Sequence, residues 1–324
     1  MKLYKLTFSA QGPCTKLPDA QALFGALCQG ILNHAGHEKL QEYLSSFDHE
    51  PLFIHSAMYP DGFYPSVKKP VFELKDLQNS IKRIRVDSRL DVISQTKGFK
   101  KVSYLSQRAF ERYLLNDRLN DLPREIEKSE VYVRTQGGLS FIDCRNETVD
   151  VPPFEMKSLL IAKNGSQNNE IEKELFYKKT IYFSDSSRFM VFVKSDQPIQ
   201  RIRGFFEWLK FVGIGPRRST GMNLFNLENI EEISIKKCTD YAFLLSDCIP
   251  AKGEFNYEQS SYSVRSELYR GSFLSVQDKI YGRFNSLESG SLMKPVKVKP
   301  YYGRLIPIQI QGKTVYHYGI GFTL

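Results

Sequence analysis

Gly213-Ile214-Gly215-Pro216-Arg217-Arg218-Ser219-Thr220-Gly221 is the stretch on which the reading of the fold turns. Upstream of it, Pro198 can open a helix as its first residue. Ile199, Ile202, Phe205, Phe206, Leu209 and Val212 then recur at three and four, which makes one apolar stripe ending at Gly213. Downstream, Met222 to Ile230 has the pattern of a strand. The stretch therefore joins a helix to a strand. Its three glycines allow positive φ and a close backbone approach, and its adjacent arginines offer forked donors for phosphate oxygens. Ser219 and Thr220 add hydroxyls. The combination suits a sugar-phosphate backbone. It is not a Walker A loop, since no Lys-Ser/Thr follows the last glycine, and the dinucleotide pattern GxGxxG fails at Arg218. The plain alternative is a helix cap at Gly213 followed by a surface loop.

Working outward, Leu3 to Ser9 alternates as a strand with Tyr4, Leu6 and Phe8 on its apolar face. After the turn Gly12-Pro13, Asp19 suits a helix N-cap, and Leu23, Phe24, Leu27, Cys28, Ile31 and Leu32 form a helical stripe closed near Gly36. A shorter helix is expected over 38–48, and four prolines make 51–70 an irregular extended stretch. Ser106 caps a helix running to about Leu119. Val131–Val133 and Leu139–Ile142 flank Gln136-Gly137-Gly138 as a hairpin. Residues 163–170 read as a loop, and Phe176–Phe183 with Arg188–Val193 reads as a second hairpin around Ser184 to Ser187. The order is βαββαβ with an insertion, a ferredoxin-like, RRM-type α+β arrangement. Beyond about residue 236 the pattern is mostly strands: Tyr241–Ser246, Tyr262–Tyr269, Leu305–Ile310 and Val315–Leu324.

Composition narrows the function classes. Lys plus Arg is 45 against 36 for Asp plus Glu, a formal net charge of +9, which favours a polyanionic partner. The segment from Ile81 to Arg108 is the most basic long stretch, with Lys82, Arg83, Arg85, Arg89, Lys97, Lys100, Lys101 and Arg108 against Asp87 and Asp91. It fits a nucleic-acid backbone or a solvated face equally. Lys294, Lys297, Lys299 and Arg304 form a further cluster without an acid among them. The 5 cysteines have no CxxC spacing, so neither a disulfide framework nor a zinc site is indicated, and no cofactor or metal is expected. No run of about 18 apolar residues exists and no signal peptide is visible, so a reducing cytoplasm is the simplest setting. Catalysis gets little support. His34 and His37 sit near a helix end, His49 and His55 lack a nucleophile motif, and Asp143 and Asp185 read as turn formers.

Leu6-Thr7-Phe8, Asp19 to Leu27 and Gly213 to Gly221 resemble the RAMP superfamily of CRISPR proteins, whose hallmark is the glycine-rich loop before the last strand of the first domain. Phe63-Tyr64-Pro65-Ser66-Val67-Lys68-Lys69-Pro70 and Lys100-Lys101-Val102-Ser103-Tyr104-Leu105 narrow the resemblance to the fourth Csm subunit of type III-A effector complexes. That resemblance implies two ferredoxin-like (RRM/RAMP-type) units. The first would span 1–236, with a long thumb-like insertion at about 50–130; the second, 237–324, would be smaller and strand-rich. It implies a non-catalytic subunit that binds the 5′ handle of the guide RNA (crRNA). Such a subunit docks the large polymerase-like Csm subunit on one side and a backbone RAMP subunit on the other. The RNA-binding residues carried over are Gly213, Gly215, Arg217, Arg218, Ser219, Thr220 and Gly221 in the loop, with Lys68, Lys69, Lys97, Lys100, Lys101 and Tyr104 in or near the thumb. Pro216 stands where relatives often have a further glycine, which stiffens the loop and removes a donor. Two other readings compete. One is a metal-independent RAMP endoribonuclease that processes precursor crRNA, with His34 or His37 as base and Lys16 or Tyr4 as neighbours. The other is a general single-strand binder acting alone.

Overall fold

Strand β1, Lys2–Ala10, buries Tyr4, Leu6 and Phe8 on one face, as its alternation requires. The computed structural model describes residues 1–67, 74–83, 98–99, 101–145, 153–165, 174–215, 221–236, 239–269 and 282–324. Asp19 caps the first helix, α1 (Ala20–Ser46), its carboxylate accepting from the Ala22 amide at 2.8 Å. Leu23, Phe24, Leu27 and Ile31 form the buried stripe of α1. Gly36, at φ 84°, kinks the helix, so the expected cap at Gly36 and the expected helix over 38–48 are the two sides of one bend.

The strands that follow are β2 (Phe53–His55), β3 (Tyr59–Pro60), β4 (Phe63–Pro65), β5 (Tyr104–Ser106), β6 (Val131–Gln136), β7 (Leu139–Cys144), β8 (Met156–Gly165), β9 (Glu174–Phe183), β10 (Arg188–Ser195) and β11 (Phe225–Ile233). The main antiparallel sheet runs β11-β1-β10-β2, with β3 also pairing β10. The helix Ile199–Glu207 packs on the face that carries Phe8, whose ring lies 6.4 Å from that of Phe206.

The sheet corrects one pairing. Phe176–Phe183 was expected to form a hairpin with Arg188–Val193. Instead β9 pairs β8, with Met156 opposite Phe183, and β10 lies between β1 and β2. The serine turn explains the divergence. Ser187 Oγ donates to Glu155 O at 2.9 Å and accepts from Glu155 N at 3.0 Å, and Ser184 N donates to Glu155 O at 3.1 Å. The turn is thus committed to the start of the preceding ribbon. The fourth strand position falls to the proline-rich stretch, where Pro60 sits on an edge segment that needs no inward amide.

Farther along the chain, β4-β5-β7-β6 form a second sheet. Gly137 and Gly138, both at positive φ (56° and 82°), make the two-residue turn between β6 and β7. Ser106 caps Gln107–Ala109 through the Ala109 amide, and the helix widens into a π-helical turn, Phe110–Leu115, rather than running on to Leu119. Asp143 is not a turn former. It is fully buried on β7 and accepts from Ser106 Oγ at 2.7 Å, Arg108 Nη2 at 2.8 Å and Cys144 N at 3.0 Å.

The remaining strands are β12 (Ala242–Phe243), β13 (Phe255–Ser261), β14 (Val264–Tyr269), β15 (Gly282–Leu287), β16 (Leu292–Pro295), β17 (Tyr302–Ile310) and β18 (Lys313–Gly321). They form the sheet β12-β16-β13 and the hairpins β14-β15 and β17-β18. Among the described residues of 239–324 there is no helix, so the helices that a ferredoxin-like unit requires are not found there. Phe243, Leu245, Tyr318, Ile320 and Phe322 join the same apolar cluster as β1 and α1. Tyr318 lies 5.0 Å from Phe24, ring to ring.

His55 lies in this shared core, stacked on Tyr318 at 4.6 Å and 5°. Its Nε2 is buried and has no hydrogen-bond partner among the described residues. Burial pushes the imidazole down to about 4. In the unfolded chain it titrates near 6.5, so between the two values the unfolded state holds the extra proton. Its contribution is therefore complete above about pH 6.5 and is lost as pH falls toward about 4. Urea unfolding is expected to show about 2 kcal/mol less stability from this group at pH 5 than at pH 7. His55→Phe removes that part of the pH dependence; a variant with an unchanged pH profile would assign the dependence to other groups.

Candidate nucleic-acid interface

The feet of the glycine-rich loop are fixed by backbone hydrogen bonds. The Gly213 amide donates to Leu209 O at 2.9 Å and ends the short helix Leu209–Val212. Ile214 N donates to Asn223 O at 2.9 Å and closes the loop. Asn223 N donates to Pro13 O, and Gln11 N to Leu224 O, both at 2.9 Å. A Cβ on Gly12 would stand 2.5 Å from Gly221 O, so only glycine fits there. Gly215 faces Ala22 in the first turn of α1. The β1–α1 connection is thus the floor on which the loop stands. Sequence reasoning treated Gly12-Pro13 as a turn alone; the signal for more was a glycine at the end of the strand that neighbours the loop. Pro216, Arg217, Arg218, Ser219 and Thr220 lie outside the described residues.

The β8-β9 ribbon stands beside this floor. Cys14 N donates to Ile181 O at 2.9 Å and Ile181 N to Cys14 O at 2.7 Å. Leu159, Leu160 and Tyr182 are exposed along the ribbon. This arm was not singled out from sequence, where 163–170 read as a loop; residues through Gly165 continue β8.

Of the other expected contacts, only Lys101 and Tyr104 fall among the described residues. Lys68, Lys69, Lys97 and Lys100 lie outside the described residues. Lys101 is exposed. Tyr104 belongs to β5, opposite Pro65 and Phe141, and packs edge-on against Phe63 at 6.4 Å. Burial pushes its phenol up to about 12. Tyr104 thus fills the second sheet, whereas the feet of the loop adjoin the main sheet. In the basic cluster near the end of the sequence, Lys294 lies 3.3 Å from Asp240 and Lys299 2.8 Å from Glu254, both acids supplied from earlier in the chain. Of the nuclease candidates, Tyr4 is buried in the core, Lys16 is 2.5 Å from Asp19, and His34 lies flat on Trp208.

No family model and no curated protein matches the sequence. Solved structures match it over its full length. A chain of the Csm3-Csm4 subcomplex from the type III-A CRISPR-Cas interference complex superposes with a TM-score of 0.61 at 15% identity, covering 99% of both chains. A chain of the Csm1-Csm4 cassette in complex with pppApA gives 0.58 at 16%, covering 100% of this chain and 97% of that one. The same cassette in complex with cA4 gives 0.58 at 17%, with the same coverage. Csm4 is the component these assemblies share. The chain shares its fold with Csm4. The Csm4 likeness spans both the part carrying the glycine-rich loop and the strand-rich part beyond it.

Proposed function

We propose that this chain is a non-catalytic, RNA-binding subunit of a type III-A CRISPR-Cas interference complex, working in the cytoplasm and holding the 5′ handle of the crRNA. One observation carries the reading: the fold matches end to end a component of both the Csm1-Csm4 and the Csm3-Csm4 assemblies. In this reading the chain bridges a large polymerase-like subunit and a backbone subunit. It divides into a unit over 1–236 and a smaller one over 237–324. The first is ferredoxin-like: its sheet order, β11-β1-β10-β2, is that of a βαββαβ unit whose second strand is split between β2 and β3. The loop from Gly213 to Gly221 lies against the RNA backbone, with Arg217 and Arg218 on phosphates. The ribbon β8-β9, fastened to the loop's floor through Cys14, supplies a second arm beside it.

Co-expression with a type III-A large subunit and backbone subunit tests the assembly. A stable particle containing all three is expected on size exclusion. Elution of this chain alone, with the other two assembled without it, would contradict the proposal.

A further inference from the structure

Only one phenylalanine among the described residues is strongly exposed. Phe211 is 66% accessible on the helix Leu209–Val212, two residues before the glycine-rich loop begins. It belongs to an aromatic cluster. Trp208 lies 5.8 Å from it, ring to ring, at 48°, and His34 of α1 stacks on Trp208 at 3.3 Å and 12°. Gly30 of α1 faces this helix: a Cβ there would stand in ordinary contact, 3.4 Å from Trp208 Cβ and 3.9 Å from Val212 Cγ2. The ammonium of Lys210 sits 4.9 Å from the centre of the Phe211 ring. Nearby arginines are matched by acids: Arg203 lies 3.5 Å from Glu207 and Arg201 3.4 Å from Glu42. Lys210 has no carboxylate partner among the described residues.

We propose that Trp208, Phe211, His34 and Lys210 form a stacking platform for an unpaired base of the RNA whose backbone the glycine-rich loop holds. This rests on the loop reading above and adds to it a base-contacting site. An exposed aromatic face with an unmatched cation is the pairing that single-stranded nucleic acid uses: the ring takes the base and the cation takes the adjacent phosphate. Continuity favours RNA over a protein partner. The chain passes from Phe211 into the loop within two residues, and Arg217 and Arg218 follow at once.

Trp208 is the only tryptophan of the chain, so its emission reports on the platform alone. The full-length chain is titrated with oligouridylate RNA of about eight nucleotides, and in parallel with an abasic ribose-phosphate oligomer of the same length. Binding is followed by anisotropy as well as by Trp208 emission. The oligouridylate is expected to quench Trp208, and the abasic oligomer is expected to bind without quenching. Phe211→Ala is expected to weaken oligouridylate binding roughly tenfold. Phe211 is exposed, so the variant keeps its fold, and circular dichroism checks this; His34→Ala serves as a second variant. Unchanged Trp208 emission and wild-type affinity in Phe211→Ala, with binding still lost in Arg217→Ala plus Arg218→Ala, would overturn the platform and leave the loop reading standing. Failure of the wild-type chain to bind either oligomer would overturn both. Loss of a co-purifying subunit from Phe211→Ala, with RNA affinity intact, would make the cluster a protein dock and overturn the platform.

Discussion

Arg217→Ala combined with Arg218→Ala is expected to lower affinity for single-stranded RNA by at least about tenfold and to flatten its salt dependence. Each phosphate neutralised on a single strand contributes roughly 0.7 to the slope of log K against log salt, so losing two contacts removes about 1.4. The effect should hold across sequences, because phosphate contacts position the strand without reading it. Arg217→Lys with Arg218→Lys should keep most of the slope, since charge survives while the forked geometry does not. The loop's feet are set by Gly213, Gly12 and Asn223, and the substitutions leave those residues unchanged. Anisotropy titrations at several salt concentrations measure this. An unchanged slope in the double alanine variant would take the phosphates away from this loop.

Asp143→Ala is expected to cost about 3 kcal/mol of stability, the scale set by stripping the partner from a buried charge. The carboxylate is fully buried, and it holds Ser106 Oγ, the Arg108 guanidinium and the Cys144 amide, with Arg134 at 3.7 Å. Ser106 also caps the helix that begins at Gln107, so the network ties that helix to the second sheet. Asp143→Asn keeps acceptors for Ser106 and Cys144 but loses the charge facing Arg108, and it should fall between alanine and wild type. Urea unfolding separates the three. A loss below about 1 kcal/mol in the alanine variant would mean that water or a repacked neighbour replaces the carboxylate.

Much of the fold was legible where one face of an element is buried and the other is wet. β1 and α1 follow from alternation and from a helical stripe, and Asp19 from its place before the stripe. The hairpin at Gly137-Gly138 was legible because a two-residue turn with positive φ at both positions favours glycine there. The second strand of the main sheet was not. β2 and β3 are short and interrupted, β3 carries Pro60, and every residue from Phe53 to Pro60 is buried whatever its polarity, so no period survives to be read. The long aromatic run of β9 drew that assignment instead, though its partner is β8. Asp143 was misread for a related reason: an aspartate on a strand next to a hairpin looks like a turn former unless its distant partners, Ser106 and Arg108, are known. In the candidate site, the loop announced itself through residue types. Its floor at Gly12-Pro13 and the exposed Phe211 depended on which segments the sheet and helices bring together.

The most direct test of the account is the RNA itself. The chain is co-expressed with a type III-A large subunit, a backbone subunit and a CRISPR array, the particle is purified through a tag on this chain, and the bound RNA is sequenced. The account predicts short RNAs that share one repeat-derived 5′ end, with that end lost or ragged when Arg217 and Arg218 are both alanine. RNAs with unrelated 5′ ends, or a particle that carries the same defined ends without this chain, would contradict it.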